Sequence, residues 1–266
     1  MLNIEMDRNR MIPNVFHFSF FRGPKMFAWR DIHTLCLQTC KNNAGADRIV
    51  VHYDIPGEGP AWEEAKSMTC VEWRQVEPDW KVNGHQVTDQ RIFCDVYRLK
   101  TLLAEGGFYC DLDFLFFKSF YDLRRYRAVI GTQCKAKCKL ACGLMGAQPN
   151  AEFIEAYLEM YNQWTPEQEK QWWTYANSIP WNLAYIYPVT VLDRSVFYPW
   201  AWSDKKFLKG AKIRFEQSLA IHLWEHLHPT MTVEDLKATC IGELIKHWRN
   251  SNNVAFLKPG KIISFD

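Results

Sequence analysis

The stretch from residue 89 to residue 117 constrains this chain more than any other. Ile92, Val96, Leu99 and Leu103 recur at helical spacing and lay one apolar stripe along residues 89 to 105. Gly106-Gly107 then ends the helix. The run FYCDLDFLFF follows at once, with the aromatic and apolar content of a buried strand. Helix, tight turn and strand in that order predict part of a packed α/β layer, with Asp111 and Asp113 inside it.

The rest of the chain reads the same way. Ile12 to Phe21 is short, aromatic and opened by proline, as expected of a buried strand. Residues 26 to 43 read as a helix, Arg48 to Tyr53 as a second strand, and Ile55 to Pro60 as a turn. Ala128 to Thr132 and Leu140 to Ala147 read as short strands, and residues 151 to 163 as an amphipathic helix before the polar run TPEQEKQ. Pro180, Pro188 and Pro199 among many aromatics predict loops and short strands over a site, and residues 232 to 248 a closing helix. Strand and helix alternate without an internal repeat or linker, so one α/β domain spanning residues 1 to 266 is expected.

In an unbroken strand, side chains at i and i+2 share a face, so Asp111 and Asp113 point one way while Leu112 and Phe114 face the core. At ~6 Å and an effective dielectric of ~20, two such carboxylates repel by about 3 kcal/mol, a cost that a bound divalent cation reverses. Oxygen ligands favour Mn2+ or Mg2+. The competing reading is a solvated D-x-D at a strand end, but the flanking aromatics would bury these charges, and a buried carboxylate needs a cationic partner. Asp95 and Arg98 lie one helical turn apart on the preceding helix. They read either as an ordinary surface ion pair or as groups that meet sugar hydroxyls and a diphosphate.

The string DVYRLKTLLAEGGFYCDLDFLFF resembles the core of the DXD-motif, sugar-binding glycosyltransferases of family thirty-two, a group related to yeast initiating mannosyltransferase and the lactosylceramide galactosyltransferases. IPNVFHFSF, GLMGAQPNAEFI, the stretch around Tyr187-Pro188-Val189 and IHLWEHL are similar to further family segments and follow the same order, so the resemblance covers residues 11 to 228. It implies a GT-A type fold: one Rossmann-like mixed sheet flanked by helices, with an aromatic-rich C-terminal segment over the site. The nucleotide-sugar half would span about residues 11 to 147 and the acceptor-side half about 148 to 266. It also implies metal-dependent transfer of a hexose or pentose from a UDP- or GDP-sugar, UDP favoured, to a saccharide hydroxyl with retention of configuration.

Carried over by position, Asp95 and Arg98 would contact the donor sugar, Asp111 the ribose or metal-bound water, and Asp113 the metal and diphosphate. Phe20 stands where the family commonly places a base-stacking aromatic. His222 and Trp224 match the late H-x-W element that closes over the diphosphate, with His222 as a metal or phosphate ligand. A lone histidine among aromatics is otherwise most simply a core residue, and Glu225, His226 and His228 are also compatible with a helix end. Trp200 and Trp202 are candidate acceptor contacts. Cys134, Cys138 and Cys142 are spaced too widely for a common structural zinc site and read as a loop entering a strand.

Other classes fit less well. DLDFL loosely resembles the strand end of haloacid dehalogenase-type phosphohydrolases, but that motif falls early in its domain. A noncatalytic nucleotide-sugar or glycan-binding protein of the same fold would keep the same residues. The net charge of +2 over 266 residues lacks the basic stripe of a nucleic-acid binder. Nine cysteines form no even framework, and the charged first residues lack the apolar run of a leader or anchor, so a reducing, cytoplasmic setting is expected. Oligomeric state is open.

Overall fold

The computed structural model describes residues 11–23, 27–133, 139–200, 217–237, 241–242 and 262–263. The chain opens with β1 (Val15–Phe20), α1 (Asp31–Thr39), β2 (Arg48–Tyr53), α2 (Pro60–Lys66) and β3 (Val71–Gln75). β1 pairs in parallel with β2, and β2 with β3. A hairpin of β4 (Lys81–Val82) and β5 (His85–Gln86) leads to α3 (Gln90–Glu105) and β6 (Gly107–Cys110). β6 returns to the other side of β1, again in parallel. The short β7 (Phe114–Phe116) leaves this sheet, and β8 (Ala128–Thr132), β9 (Leu140–Ala147) and α4 (Glu152–Met160) follow. Next come α5 (Ile179–Leu183), β10 (Thr190–Leu192), α6 (Arg194–Phe197), β11 (Ala220–His222), α7 (Val233–Lys237) and β12 (Ile262–Ile263).

Eight strands form one sheet in the order β12-β10-β8-β9-β6-β1-β2-β3, and β9 runs antiparallel to both its neighbours. The expected single mixed α/β sheet flanked by helices is therefore present. Apolar clusters cover both faces, one including Phe16 and Phe18 of β1 with Ile32 and Cys36 of α1. The other joins Ile92, Val96 and Leu99 of α3 to Phe153 and Tyr157 of α4. No helix among the described residues is long and apolar enough to cross a membrane.

α3 matches its expected span to one residue, because Asp89 caps its start by accepting from the Arg91 N–H at 3.0 Å. The glycine pair behind it is a steric requirement. Gly107 has φ +97, and a Cβ there would lie 2.6 Å from the carbonyl oxygen of Val15. Two expectations need adjustment. The helix expected from residue 26 starts as α1 at Asp31 and runs on through a π-helical turn, Cys40–Ala44. The proline-rich region is more helical than expected, with turns at Pro166–Gln171 and Thr174–Ser178 besides α5 and α6. Pro166 and Pro180 sit in first turns, where no amide N–H is needed, so they start helices instead of breaking them. Of the closing helix, α7 and Ile241-Gly242 are seen, and the remainder lies outside the described residues.

A polar chain is buried between sheet and helix. His17 Nδ1 lies 3.1 Å from His52 Nε2, and His52 Nδ1 lies 2.9 Å from the Tyr97 hydroxyl. Burial pushes the imidazole of His17 down to about 4 and that of His52 down to about 3. Both rings are thus neutral in the folded chain, whereas the unfolded chain takes up protons below about 6.5. Their contribution to stability is complete above that pH and is lost as pH falls through the window down to about 3. Urea unfolding between pH 6 and pH 5 should therefore lose about 2 kcal/mol per pH unit through this pair, and His52→Gln should make that slope shallower by about 1 kcal/mol per pH unit. An unchanged slope in the variant would show that His52 does not titrate this way.

Candidate active site

The acidic motif does not lie within one strand. β6 ends at Cys110, Asp111 still donates its N–H to the Gly143 carbonyl at 2.8 Å, and Leu112-Asp113 form a turn. The chain resumes as β7, which pairs antiparallel with β11 in a separate ribbon, with Phe114 opposite His222. Alternation along a continuous strand is therefore not what brings the two carboxylates together. Asp111 hangs from the end of the large sheet and Asp113 from the start of the ribbon, while Leu112 and Phe114 are buried as expected. The Leu223 N–H donates to the Asp113 carbonyl at 2.9 Å and fixes the ribbon beside the motif.

The ribbon carries His222 to the acidic pair. Its Nε2 lies 2.9 Å from Asp113 Oδ1 and 4.0 Å from Asp111 Oδ2. The ring stacks on Phe114 at 4.5 Å between centroids, nearly parallel, and lies 4.0 Å from the Trp224 ring. Its Nδ1 is buried without a hydrogen-bond partner. Ligand atoms of Asp111, Asp113 and His222 all fall within 4.8 Å of one another. Around an ion with ligands at about 2.1 Å, cis donors lie about 3 Å apart and trans donors about 4 Å, close to the distances of His222 Nε2 from the two aspartates. The two carboxylates suit Mn2+ or Mg2+, and the imidazole among them suits a transition metal, so Mn2+ meets the mixed set better than Mg2+.

Behind the motif, Asp95 and Arg98 are buried, not a surface pair. Arg98 Nη2 donates to Asp111 Oδ1 at 2.5 Å, its Nη1 donates to the Cys142 carbonyl, and it stands 3.5 Å from Asp95. Asp95 accepts from Trp172 Nε1 at 2.7 Å, the Cys142 thiol at 3.4 Å and the Tyr161 hydroxyl at 3.5 Å. The two motif carboxyls are pushed apart in acidity. Burial raises Asp111, with Arg98 pulling against it. For Asp113 burial also opposes ionisation, but the charge and hydrogen bond of His222 and the Glu225 N–H hold it down at about 2.

A cleft of about 450 Å³ opens over these groups, within the range of small-molecule sites. Asp95, Arg98, Asp111, Asp113, His222 and Trp224 all line it. Phe20 does not. It packs edge-on against Trp29 at 4.9 Å in the core, because the pleat turns it away from the face on which Ser19 reaches the cleft. Trp200 is likewise core and away from the cleft lining, and Trp202, Cys134 and Cys138 lie outside the described residues. Cys142 is a free thiol against Asp95. Glu225 and His226 line the cleft, and His228 does not. Sequence reasoning passed over Phe27, Trp172, Asn177 and Tyr198, which also line it. The only signal for Trp172 was its place directly after the polar TPEQEKQ run.

No protein-family model and no curated protein matches the chain. Among solved structures, the galactosyltransferase LgtC, in complex with donor and acceptor sugar analogues, is similar at 10% identity over 91% of this chain and 97% of that chain, with a TM-score of 0.46. The glycosyltransferase PaToxG is similar at 17% identity over 66% of this chain and 70% of that chain, with a TM-score of 0.44. A 4-diphosphocytidyl-2C-methyl-D-erythritol synthase from Anaerococcus prevotii is similar at 12% identity over 67% and 86%, with a TM-score of 0.40.

The buried charges yield a stability prediction. Arg98→Ala leaves Asp95 and the inner oxygen of Asp111 facing a void without a counter-charge, and should cost about 3 kcal/mol or more in urea unfolding. Asp95→Asn combined with Arg98→Met should recover part of that loss, since neither variant residue is charged. Equal losses in the single and double variants would show that the ion pairing contributes nothing.

Proposed function

We propose that this protein is a metal-dependent glycosyltransferase. It would move a hexose or pentose from a nucleotide-diphosphate sugar, UDP favoured over GDP, to a hydroxyl of a saccharide acceptor. One observation carries the reading: Asp111, Asp113 and His222 converge in the cleft beside the C-terminal ends of the parallel strands β1 and β6. From β1 the sheet extends through β2 and β3 on one side and through β6 on the other, and open α/β sheets bind ligands at such a switch point.

When bound, Mn2+ or Mg2+ supplies positive charge to the departing diphosphate. Asp111, Asp113 and His222 would hold it. Arg98 spends its guanidinium on Asp111 and the Cys142 carbonyl, so its role here is to fix Asp111, not to reach the sugar as the family resemblance implied. Asp95, occupied by Trp172, Cys142 and Tyr161, would in turn fix Arg98. Trp172 and Trp224 wall the cleft and would exclude water.

Retention supports itself on what the carboxylates already do. Asp89, Asp95 and Glu225 are committed to internal partners, and Asp111 and Asp113 would be taken by the ion. That favours same-face attack without a covalent enzyme intermediate. The free thiols of the six described cysteines that are buried or half-buried agree with action in the cytoplasm.

Incubation with a panel of UDP- and GDP-sugars and Mn2+ should release free sugar slowly without acceptor, fastest with a UDP-sugar. Asp113→Asn should lower the rate by roughly a hundredfold or more. Release of pyrophosphate from a nucleoside triphosphate, with no sugar release from any donor, would assign nucleotidyl transfer instead. NMR of the released sugar should show the donor's anomeric configuration, and inversion would overturn the retaining mechanism.

A further inference from the structure

A second charged cluster holds the loop that follows β11. Trp224 adopts φ 56 and ψ 47, the left-handed region that a side chain disfavours, so the turn needs support from outside. The next residue, Glu225, supplies it twice. Its backbone N–H donates to Asp113 Oδ2 at 2.9 Å, on the carboxylate whose other oxygen faces His222. Its side chain is gripped from the start of α1, by Arg30 Nη1 at 2.5 Å and His33 Nε2 at 2.7 Å.

The grip is directional. The Arg30 N–H donates to His33 Nδ1 at 3.1 Å, so Nδ1 is an acceptor and Nε2 carries the proton offered to Glu225. A neutral imidazole therefore suffices. Arg30 Nη2 also donates to the Met231 carbonyl, and Asp31 Oδ2 accepts from the Val233 N–H at 3.2 Å. The first turn of α1 thus spans the loop from Glu225 to Val233. α1 itself is anchored in the core through Ile32 and Cys36, and Thr34 Oγ1 donates to the Ala61 carbonyl at 2.7 Å.

We propose that Arg30, His33 and Glu225 form a latch that sets the Asp113 and His222 side chains in position to bind a divalent cation. This rests on reading Asp111, Asp113 and His222 as a metal site. The three latch residues are positioning residues: they act on the ion through the Glu225 N–H and through the path of the β11 loop. Outer groups that orient ligands in this manner typically change metal affinity ten- to a hundredfold.

The test is a Mn2+ titration of the full chain, with and without UDP, followed by the EPR signal of free Mn2+. Wild type should bind about one ion, and Asp113→Ala should abolish binding. Glu225→Gln and Arg30→Met should each weaken binding by roughly tenfold, with melting temperatures and near-ultraviolet circular dichroism close to wild type. Arg30→Lys, which keeps the charge but not the forked reach to both Glu225 and Met231, should fall between. It also serves as the folded reporter if a harsher variant fails to fold. Wild-type binding with all folded latch variants within twofold of it would overturn the latch and leave the metal site standing. No Mn2+ binding by wild type under either condition would overturn the metal reading itself.

Discussion

The cleft is organised around the need to neutralise one buried guanidinium. Arg98 rises from the middle of α3 into a space closed by the Tyr109 ring, whose centroid lies 5.2 Å away. There water cannot solvate its charge, and leaving it alone would cost several kcal/mol. It is answered by carboxylates from two directions and by a carbonyl of β9. Helix, central strand and antiparallel strand are thereby joined at one point, and Asp111 is held at the mouth of the cleft with only one oxygen left over. Asp95 completes the arrangement, its own charge shared among an indole N–H, a thiol and a phenol.

This arrangement separates the two motif aspartates chemically. Asp111 faces Arg98 inward and the cleft outward, while Asp113, which also lines the cleft, is held by His222 of the ribbon and by the Glu225 amide. Two adjacent carboxylates in one low-dielectric site would oppose each other's ionisation. Here each has its own cationic or N–H partner: Arg98 opposes the rise that burial imposes on Asp111, and His222 with the Glu225 N–H holds Asp113 down. Two carboxylates and an imidazole gathered at one cleft favour a cation between them, and this arrangement of groups carries more weight for function than the resemblance of the sheet to other sheets.

Much of this was legible in the sequence because it is local. The apolar stripe of α3 and the Gly106-Gly107 stop depend on neighbours within a few residues, and the helix falls where the spacing put it. β2 matches its expected span for the same reason: RIVVHY is a short β-branched run between turns. The break at Leu112 was not legible. FYCDLDFLFF is apolar almost throughout, so periodicity cannot tell one long strand from two that belong to different sheets. What breaks it is β11, a partner far along the chain. Phe20 shows the converse limit, since a motif position names an aromatic but the pleat decides which side of the sheet it serves. The latch on Glu225 was invisible for the reason that hid the break: its partners come from α1, and no spacing rule links them.

The room for Asp111 is likewise set from a distance. Gly143 lies on β9, where its carbonyl receives the Asp111 N–H. A Cβ at that position would stand 2.8 Å from Asp111 Oδ2 and 3.4 Å from the Tyr198 hydroxyl. Oδ2 is the oxygen not taken by Arg98, the one turned toward His222. Tyr198 cannot yield easily, because its hydroxyl accepts from the Leu144 N–H at 3.1 Å and donates to the Ala141 carbonyl at 3.2 Å. Any side chain at Gly143 would therefore press on the oxygen turned toward His222 instead of on a movable neighbour. The acidic motif supplies the carboxylates, but a glycine on the next strand decides whether one of them can turn outward.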